Sequence, residues 1–440
     1  MVNFNCKATF FCCLYKIIKG ENIMSDKLLA FLKKALVIML TLITPFLSCT
    51  MSFEPLARFD KECIEAEEKI GGFMQGVCHA RGDYELMKEA GITWTRKDIP
   101  FPFDKDGNLT PSYLGWKAEM QEYADNGIRI FAVTPYPEDY IEVGLDPRDD
   151  ASKQRIQEIA QFYCEDLRGI VGAIQVTNEM GIDRFTYPLT LDEAAYFIGI
   201  QLEAMEQVKG DIIVGYNLGG LSMVTLPFKM LKWNKYCDYV GVDLYLGSFE
   251  DIAKELDQYL AIIGFVRKVT GKPIIMCEFG YIGYGKQKTE EEKVAILQKY
   301  GYNSEAEAVA DMDNFMEKLP ADMRDELKEI YPDYTAEQYG DLIFNGEYKS
   351  HFYCALPDGY YLNGYDHTPE GQAKFYSDLL PKMMELDYVI GAVIYCWEDD
   401  DACYVCGQAE CPVETGWGLV DLNGKPKPAY YAVKDIFTAE

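Results

Sequence analysis

The feature that most constrains the fold of this chain is a regular alternation of strand and helix patterns from about residue 70 onward. Apolar runs rich in Val and Ile alternate with segments of helical period, which is typical of repeated βα units and a parallel sheet. Eight strand patterns occur, and a helix follows each of them, as in a (β/α)8 barrel. The strand patterns span residues 71–77, 92–101, 128–137, 171–180, 211–217, 237–247, 272–281 and 389–400.

An open, doubly wound sheet is the alternative architecture. Such a sheet usually has fewer strands and a glycine-rich phosphate-binding turn after the first strand. The segment GVCHARGDY, which follows the first strand pattern here, is not such a turn. The sequence therefore predicts an α/β fold of the TIM-barrel type over residues 70–440.

The alternation of strand and helix patterns is interrupted by one segment, residues 283–366, which is acidic, rich in Tyr and rich in helix patterns. It stands between the seventh strand pattern and the seventh helix pattern. We interpret it as an insertion that forms a lid or small subdomain over the barrel mouth. The alternative is a decoration packed on the side of the barrel.

Residues 24–50 have the pattern of an export signal. Lys27, Lys33 and Lys34 precede the apolar run 35–47, which is shorter than the roughly 20 residues of a membrane-spanning helix. The run ends in FLSC, which is similar to a bacterial lipoprotein box with Cys49 as the lipidated residue. We therefore expect a signal peptide or a lipoprotein anchor, and a secreted or cell-surface protein.

Residues 1–23 stand in front of this otherwise complete signal. Our hypothesis is that translation starts at Met24 and that residues 1–23 are an upstream extension absent from the protein.

The composition excludes some classes of partner. With 71 acidic and 42 basic residues, the formal net charge is −29, whereas nucleic acids and anionic membranes are bound by clustered Lys and Arg. We expect no nucleic-acid partner, and membrane contact only through the N-terminal anchor. A neutral substrate suits this charge better, although the charge is also that of an ordinary solvated surface.

Two carboxylates follow apolar strand patterns at the same predicted face of the barrel. Glu179 ends the fourth pattern and Glu278 ends the seventh, and catalytic groups of such barrels project from the carboxyl ends of the strands. Two carboxylates across a cleft suit hydrolysis of a glycosidic bond, one as proton donor and the other as nucleophile or base. A structural ion-pair role is the alternative for both.

Several separated motifs together resemble the clan A glycoside hydrolases, a broad group that includes cellulases, β-mannanases, β-galactosidases and β-xylosidases. The motifs are TNEM, CEFGY, DYVGVDLY, YCWEDD and the terminal GLVDLNGKPKPAYYAVKDIF. The resemblance covers the barrel and not the insertion. It implies a retaining mechanism with Glu179 as acid/base, Glu278 as nucleophile and Asn178 bound to the sugar 2-hydroxyl.

The resemblance also implies three further substrate-binding or supporting residues, and a fourth, His79, is a candidate by its position at the end of the first strand pattern. Tyr245 would orient the nucleophile, or else be a core or rim aromatic, and Trp397 would be an aromatic platform for the sugar, or else pack at the barrel rim. Arg96 would lie beside Glu278, or else form a salt bridge with Asp98. His79 would reach the sugar, or else be a rim histidine.

The chain departs from the clan pattern at the third and sixth strand ends, where many members carry a histidine. AVTPYPEDY and GVDLYLG contain none. No substrate can therefore be transferred from one particular family of the clan.

Cys403, Cys406 and Cys411 lie close together in the stretch CWEDDDACYVCGQAEC. A structural zinc site normally needs four close ligands at paired spacing, and the fourth is not evident in the sequence. We interpret the three as disulfide-bonded or free thiols, with zinc, and calcium at the neighbouring acids, as weaker alternatives.

These observations predict a retaining glycoside hydrolase that cleaves β-glycosidic bonds of a neutral oligo- or polysaccharide, with no cofactor and no metal. The alternatives are a carbohydrate-binding barrel without activity and a transglycosylase that forms the same covalent intermediate.

Overall fold

The computed structural model describes residues 57–439, apart from residues 221, 250–251, 286–287, 347, 357–359, 404–405 and 410. The predicted signal at 24–50 and the predicted extension at 1–23 lie outside the described residues. Among the helices of the described part, none is both long and apolar enough to cross a membrane.

Eight parallel strands close into a barrel in chain order. Closure is made by the first and last strands, where Met74 pairs with Gly391 and Val77 pairs with Ile394. The predicted TIM barrel is confirmed, and the closed sheet excludes the open doubly wound alternative. The strands are β1 (Met74–Cys78), β2 (Trp94–Asp98), β3 (Arg129–Val133), β4 (Val171–Gln175), β5 (Ile213–Gly219), β6 (Tyr239–Leu244), β7 (Ile274–Phe279) and β8 (Val389–Ile394).

The helices surround this barrel and fill the segment between β7 and β8. Up to β7 they are α1 (Ala57–Ile70), α2 (Tyr84–Glu89), α3 (Pro111–Asp125), α4 (Pro137–Glu142), α5 (Asp150–Asp166), α6 (Asp183–Thr186), α7 (Leu191–Glu206), α8 (Ser222–Met230) and α9 (Leu256–Thr270). After β7 they are α10 (Glu290–Lys299), α11 (Glu305–Ala310), α12 (Met312–Met316), α13 (Ala321–Ile330), α14 (Ala336–Phe344), α15 (Lys349–Tyr353), α16 (Pro369–Met384) and α17 (Pro428–Phe437).

Local sequence signals set the ends of the long helices. Thr190 precedes α7 and exchanges hydrogen bonds with Glu193 in a capping box, which satisfies backbone N–H groups that have no partner within the helix. At the other end of a helix, Gly271 follows α9 at φ 69°, a left-handed conformation that costs glycine little. These signals are local, so the long helices were predictable from the sequence.

The predicted strands extend too far at their carboxyl ends. The fourth was expected to reach Met180, but β4 ends at Gln175. Beyond it, Thr177 and Glu179 adopt positive φ angles of 58° and 44°, which are incompatible with a strand. Glu179 therefore lies in a loop after β4 and not on the strand itself.

Side chains of the strands alternate between two apolar layers. Ala173, Tyr239 and Ile275 belong to the cluster inside the barrel, while Ile174 and Val240 belong to the larger cluster under the surrounding helices. This alternation follows from the two-residue period of a strand. It fixes which polar side chains can enter the barrel mouth.

The helices α10 to α15 occupy most of the predicted insertion and have an apolar cluster of their own, which includes Phe315, Met323 and Phe344. Cys403 and Cys411, from the loop after β8, belong to the same cluster. Tyr331, which follows α13, donates to Asp183 Oδ2 at 3.3 Å, beside the loop after β4. The insertion thus contacts loops on the carboxyl side of the barrel; a role as lid stays a prediction.

Candidate active site

A layer of buried polar side chains crosses the barrel at the carboxyl ends of the strands. Each lies at an inward-facing position of a different strand, and Asn178, in the loop after β4, joins them into one hydrogen-bonded network. They are Arg96 on β2, Gln175 on β4, Asn217 on β5, Asp243 on β6 and Glu278 on β7. Because buried polar groups are costly without partners, such a network at the mouth of an apolar barrel indicates a functional site.

A bulge in β7 directs Glu278 into this layer. Val242 pairs with Met276 but Asp243 pairs with Glu278, so β7 has one extra residue, Cys277, opposite β6. Met276 and Phe279 both pack in the outer cluster, which leaves Cys277 and Glu278 as consecutive inward residues. Bulges commonly redirect side chains next to active sites, and this one reverses the orientation that strict alternation would assign to Glu278.

Both carboxylate oxygens of Glu278 accept hydrogen bonds from buried donors. Tyr245 donates its hydroxyl to Oε2 at 2.5 Å, and Arg96 donates through Nη1 to Oε1. Burial, followed by the charge of Glu278, raises the pKa of Tyr245 well above its usual value, so the phenol keeps its proton and remains a donor. The site residues predicted beside Glu278 therefore lie in contact with it.

Arg96 connects Glu278 to the loop after β4. Its Nη2 donates to Asn178 Oδ1 at 2.7 Å and its Nε donates to Gln175 Oε1 at 3.3 Å. Burial by itself would lower the pKa of Arg96, but the surrounding negative charges, of which Glu278 is the largest contributor, together raise it well above its usual value. The salt bridge of Arg96 is made with Glu278, and Asp98, the alternative partner, is exposed.

The amide of Asn178 is fixed by three donors. Its Oδ1 accepts from Arg96, from Gln175 Nε2 at 3.1 Å and from Asn217 Nδ2 at 2.6 Å. Since the oxygen faces this network, the amide N–H groups are the ones available to a ligand hydroxyl. This is the geometry expected of a residue that donates to a sugar hydroxyl.

Glu179 is held through its backbone and packs closely against β5. Its N–H donates to Asn217 Oδ1 at 2.8 Å. A Cβ atom added to Gly219 would lie 2.0 Å from Glu179 Oε1 and 2.6 Å from its Cδ, so any larger residue at this position would force the carboxyl group of Glu179 to move. Asn217 and Gly219, which we did not single out from the sequence, thus position the second carboxylate.

Asp243 is a third carboxyl group in the layer. It is 1% exposed, accepts one hydrogen bond from Asn217 at 2.5 Å, and its Oδ1 has no partner among the described residues. Burial raises its pKa well above the usual value, and the charges of Glu278 and Glu179 add to the rise. Burial and the two neighbouring glutamates thus favour the protonated form of Asp243.

The aromatic side chains at the mouth differ from the predicted set. The half-buried ring of Tyr395 lies edge-on to Tyr245 at 5.9 Å and to His79 at 5.6 Å between ring centroids. His79 is exposed at the same edge. Tyr395 is thus the aromatic residue that follows β8 at the mouth.

Trp397, the predicted sugar platform, does not lie at the mouth. Its indole is fully buried in the outer cluster and donates to Asp83 Oδ2 at 2.9 Å. The platform prediction is therefore wrong. If the alternation of inward and outward side chains continued beyond Val393, which faces inward, Trp397 would also face inward. Strand β8 ends at Ile394, so this alternation does not extend to Trp397.

Signals for some of the missed residues were present in the sequence. Asn217 and Asp243 are isolated polar residues inside apolar strand patterns, at positions that share the inward parity of Ile213 and Tyr239. A polar residue on the inner face of a barrel strand is costly unless it serves a site. Gly219 carried no comparable signal.

A cavity of about 520 Å³ lies beside the mouth, between the loops after β3 and β4 and helix α13 of the insertion. Tyr136 and Phe185 stack in its wall with centroids 5.5 Å apart. Seven carboxylates line it, and the one cation among its lining residues is Arg184. The carboxylates are those of Glu138, Asp139, Glu142, Asp322, Asp325, Glu326 and Glu329.

No protein-family model matches this chain, and no curated protein matches it. Solved structures do match. A GH2 β-galacturonidase from Eisenbergiella tayi bound to galacturonate has 14% identity over 83% of this chain, with a TM-score of 0.48. A β-glucuronidase from Bacteroides uniformis has 12% sequence identity over 83% of this chain, with a TM-score of 0.48. A β-D-glucuronidase of Dictyoglomus thermophilum has 13% sequence identity over 84% of this chain, with a TM-score of 0.46.

This chain spans about half of the galacturonidase and of the Dictyoglomus protein, at 51% each, and 35% of the Bacteroides protein. These named proteins are β-glycosidases, the broad class that the sequence resembles. At such identities and TM-scores, the likeness assigns neither an activity nor a substrate to this chain.

Proposed function

We propose that this protein is a retaining glycoside hydrolase that cleaves β-glycosidic bonds of a neutral oligo- or polysaccharide. The observation that carries the proposal is the hydrogen-bonded layer that joins Glu278 on β7 to the loop of Glu179 through Arg96, Asn178 and Asn217. In this network the carboxylate of Glu278 accepts from two buried donors, and the backbone N–H of Glu179 donates to Asn217, which supports the assignment of the two residues as a catalytic pair.

In the first step, a carboxylate oxygen of Glu278 attacks the anomeric carbon while Glu179 gives its proton to the departing glycosidic oxygen. In the second step, Glu179 takes a proton from water, the water oxygen bonds to the anomeric carbon, and Glu278 leaves as a carboxylate. The retaining course requires the carboxyl groups to lie about 5–5.5 Å apart. Asn178 would donate to the 2-hydroxyl of the sugar.

The charges around the mouth support a neutral substrate. Arg96 is already paired with Glu278, and the adjacent cavity is lined mainly by carboxylates. An anionic sugar would meet repulsion there, since like charges in a partly buried cleft are costly. We expect neutral β-glycosides to be hydrolysed faster than β-glucuronides.

Export remains part of the proposal. The lysines before the apolar run 35–47 support it. N-terminal sequencing of the protein from its native cells would show a start after residue 47 if the signal is cleaved, and a start at or before Met24 would contradict cleavage.

Chemical rescue tests the nucleophile. We expect Glu278→Gly to abolish turnover of aryl β-glycosides without unfolding the protein, and added azide to restore turnover with a glycosyl azide of inverted configuration. Glu203→Ala, a carboxylate on α7 that accepts from Tyr236 at 2.7 Å outside the barrel, is the matched control. Turnover by the folded Glu278→Gly variant without azide would refute the assignment.

A further inference from the structure

Four cysteine side chains from two separate parts of the chain converge beside the insertion. Cys354 directly follows α15, while Cys403, Cys406 and Cys411 belong to the loop after β8. The sulfur atoms of Cys354, Cys406 and Cys411 all lie within 4.8 Å of one another, and those of Cys354 and Cys406 are 3.4 Å apart. Cys403 lies outside this mutually close trio, but its sulfur accepts a hydrogen bond from the backbone N–H of Cys406 at 3.4 Å.

The separations among Cys354, Cys406 and Cys411 fit ligands around one ion. Zinc lies about 2.3 Å from each thiolate, so the sulfur atoms of a tetrahedral site are about 3.8 Å apart. Disulfide-bonded sulfur atoms, by contrast, lie about 2.05 Å apart and pair one with one. Each sulfur of Cys354, Cys406 and Cys411 approaches the two others, and none of the described cysteines is disulfide-bonded.

The loop after β8 also has the local geometry of a metal-binding turn. Cys403 and Cys406 have the C-x2-C spacing of structural zinc sites. The backbone N–H of Cys406 donates to the sulfur of Cys403 at 3.4 Å. A hydrogen bond of this kind stabilises a thiolate and orients it toward an ion.

We propose that Cys354, Cys403, Cys406 and Cys411 bind one Zn²⁺ ion in a closed, tetrahedral, structural site. Cys354 is the fourth ligand that the sequence alone did not reveal, because it comes from the far end of the insertion. The proposal replaces our interpretation of these residues as disulfide-bonded or free thiols.

The surroundings suit a structural ion and not a catalytic one. Cys403, Cys406 and Cys411 are buried in the apolar cluster of the insertion, so four thiolates would leave no open position for substrate. Lys288 lies close enough for its charge to act on Cys354 and would offset part of the negative charge of a tetrathiolate site.

The ion would join the insertion to the barrel mouth. Thr415 and Trp417 follow Cys411 closely in the chain, and the Trp417 ring packs edge-on against Tyr245, the partner of Glu278, with centroids 5.2 Å apart. Thr415 forms a hydrogen bond to Tyr284 in the loop after β7. Zinc would therefore fix both the insertion and the loop that supports the candidate nucleophile.

Metal analysis of the full chain, purified without added metal, tests the proposal. We expect about one zinc ion per chain, and Cys354→Ser to lower zinc affinity by about 100-fold or more. Cys237→Ser removes a buried cysteine outside the cluster and should leave the zinc content unchanged. Replacement of zinc by Co²⁺ should give the intense visible bands of tetrahedral cobalt–thiolate coordination.

Thiol titration of the wild-type chain decides the question even if the variant does not fold. The four thiols of the cluster should be unreactive in the native protein and become reactive when a chelator removes zinc. The proposal would be overturned by any of three results: disulfides among these cysteines, iron in place of zinc, or a folded Cys354→Ser variant that binds zinc as tightly as the wild type.

Discussion

Asn217 supports Glu179 from the neighbouring strand, because its side-chain oxygen accepts the backbone N–H of Glu179 at 2.8 Å. The nitrogen of the same amide donates to Asn178 and to Asp243. One side chain thus supports the loop of the candidate proton donor, where Glu179 has a positive φ, and also donates to one oxygen of a buried acid.

Asn217→Ala should reduce both stability and activity. Loss of the side chain leaves buried groups without partners, which costs about 1–3 kcal/mol in the free energy of unfolding, and the loop of Glu179 loses its support. Urea unfolding and kcat/KM measure the two effects. Asn234→Ala is the control, because it removes another buried amide, which is hydrogen-bonded to Tyr216 and to Thr270. It should lower stability and leave kcat unchanged. An equal loss of kcat in the Asn217 and Asn234 variants would refute a positioning role for Asn217.

Gly219→Ala should displace the carboxyl group of Glu179. The new methyl group would overlap Oε1, and overpacking of this kind costs about 1–3 kcal/mol. We expect kcat to fall most for substrates with poor leaving groups. Gly115→Ala is the control, because a Cβ there on the exposed face of α3 meets nothing within 4 Å; it should stabilise the protein by about 0.5–1 kcal/mol and leave kcat unchanged.

Glu179→Gln should separate substrates by their need for acid. Glutamine keeps the shape of the side chain but cannot donate and recover a proton, so the first step with dinitrophenyl glycosides should survive while poor leaving groups lose about 10²–10⁴-fold in rate. Pre-steady-state kinetics should show accumulation of the covalent intermediate. Equal losses for both substrate types would mean that Glu179 only positions the substrate.

Asp243 should make the protein less stable as the pH rises. Its folded-state pKa is raised by burial and by the nearby glutamates, above the value of about 3.9 in an unfolded chain. The stabilisation it contributes is therefore complete below about pH 3.9 and is lost as the pH rises through the folded-state pKa. Asp243→Asn mimics the neutral acid, so its free energy of unfolding in urea should rise relative to that of the wild type between pH 4 and pH 8. A difference between the two free energies that stays constant over this range would show that the pKa of Asp243 is not raised.

Glu138 offers a test of the contact between α13 and the mouth. Burial raises its pKa to about 6, and Glu329 on α13 is the next contributor. Its stabilising effect is present below about pH 4.5 and is lost as the pH rises through about 6. Glu138→Gln should raise the melting temperature at pH 8 more than at pH 4, whereas Glu165→Gln, an exposed residue of α5, should change little at either pH. An equal change of melting temperature in Glu138→Gln at pH 4 and pH 8 would contradict the burial of Glu138 beside Glu329 on α13.

The sequence alone determined the barrel and the face that carries the carboxylates. The two-residue and 3.6-residue periods are local properties of the chain, so eight strands and their helices could be counted without coordinates. Carboxyl ends of parallel strands meet at one face, and from this the sequence predicted that Glu179 and Glu278 lie at the same face of the barrel.

Tertiary structure decided the orientation and the partners of these side chains. The bulge at Cys277 turns Glu278 inward against strict alternation. Strand β8 ends at Ile394, and Tyr395, not Trp397, packs against Tyr245. Cys354 meets the other three cysteines only because the insertion folds back on the loop after β8. Each of these outcomes depends on register and packing between segments far apart in the chain, where the local periodicity that guides sequence reasoning carries no information.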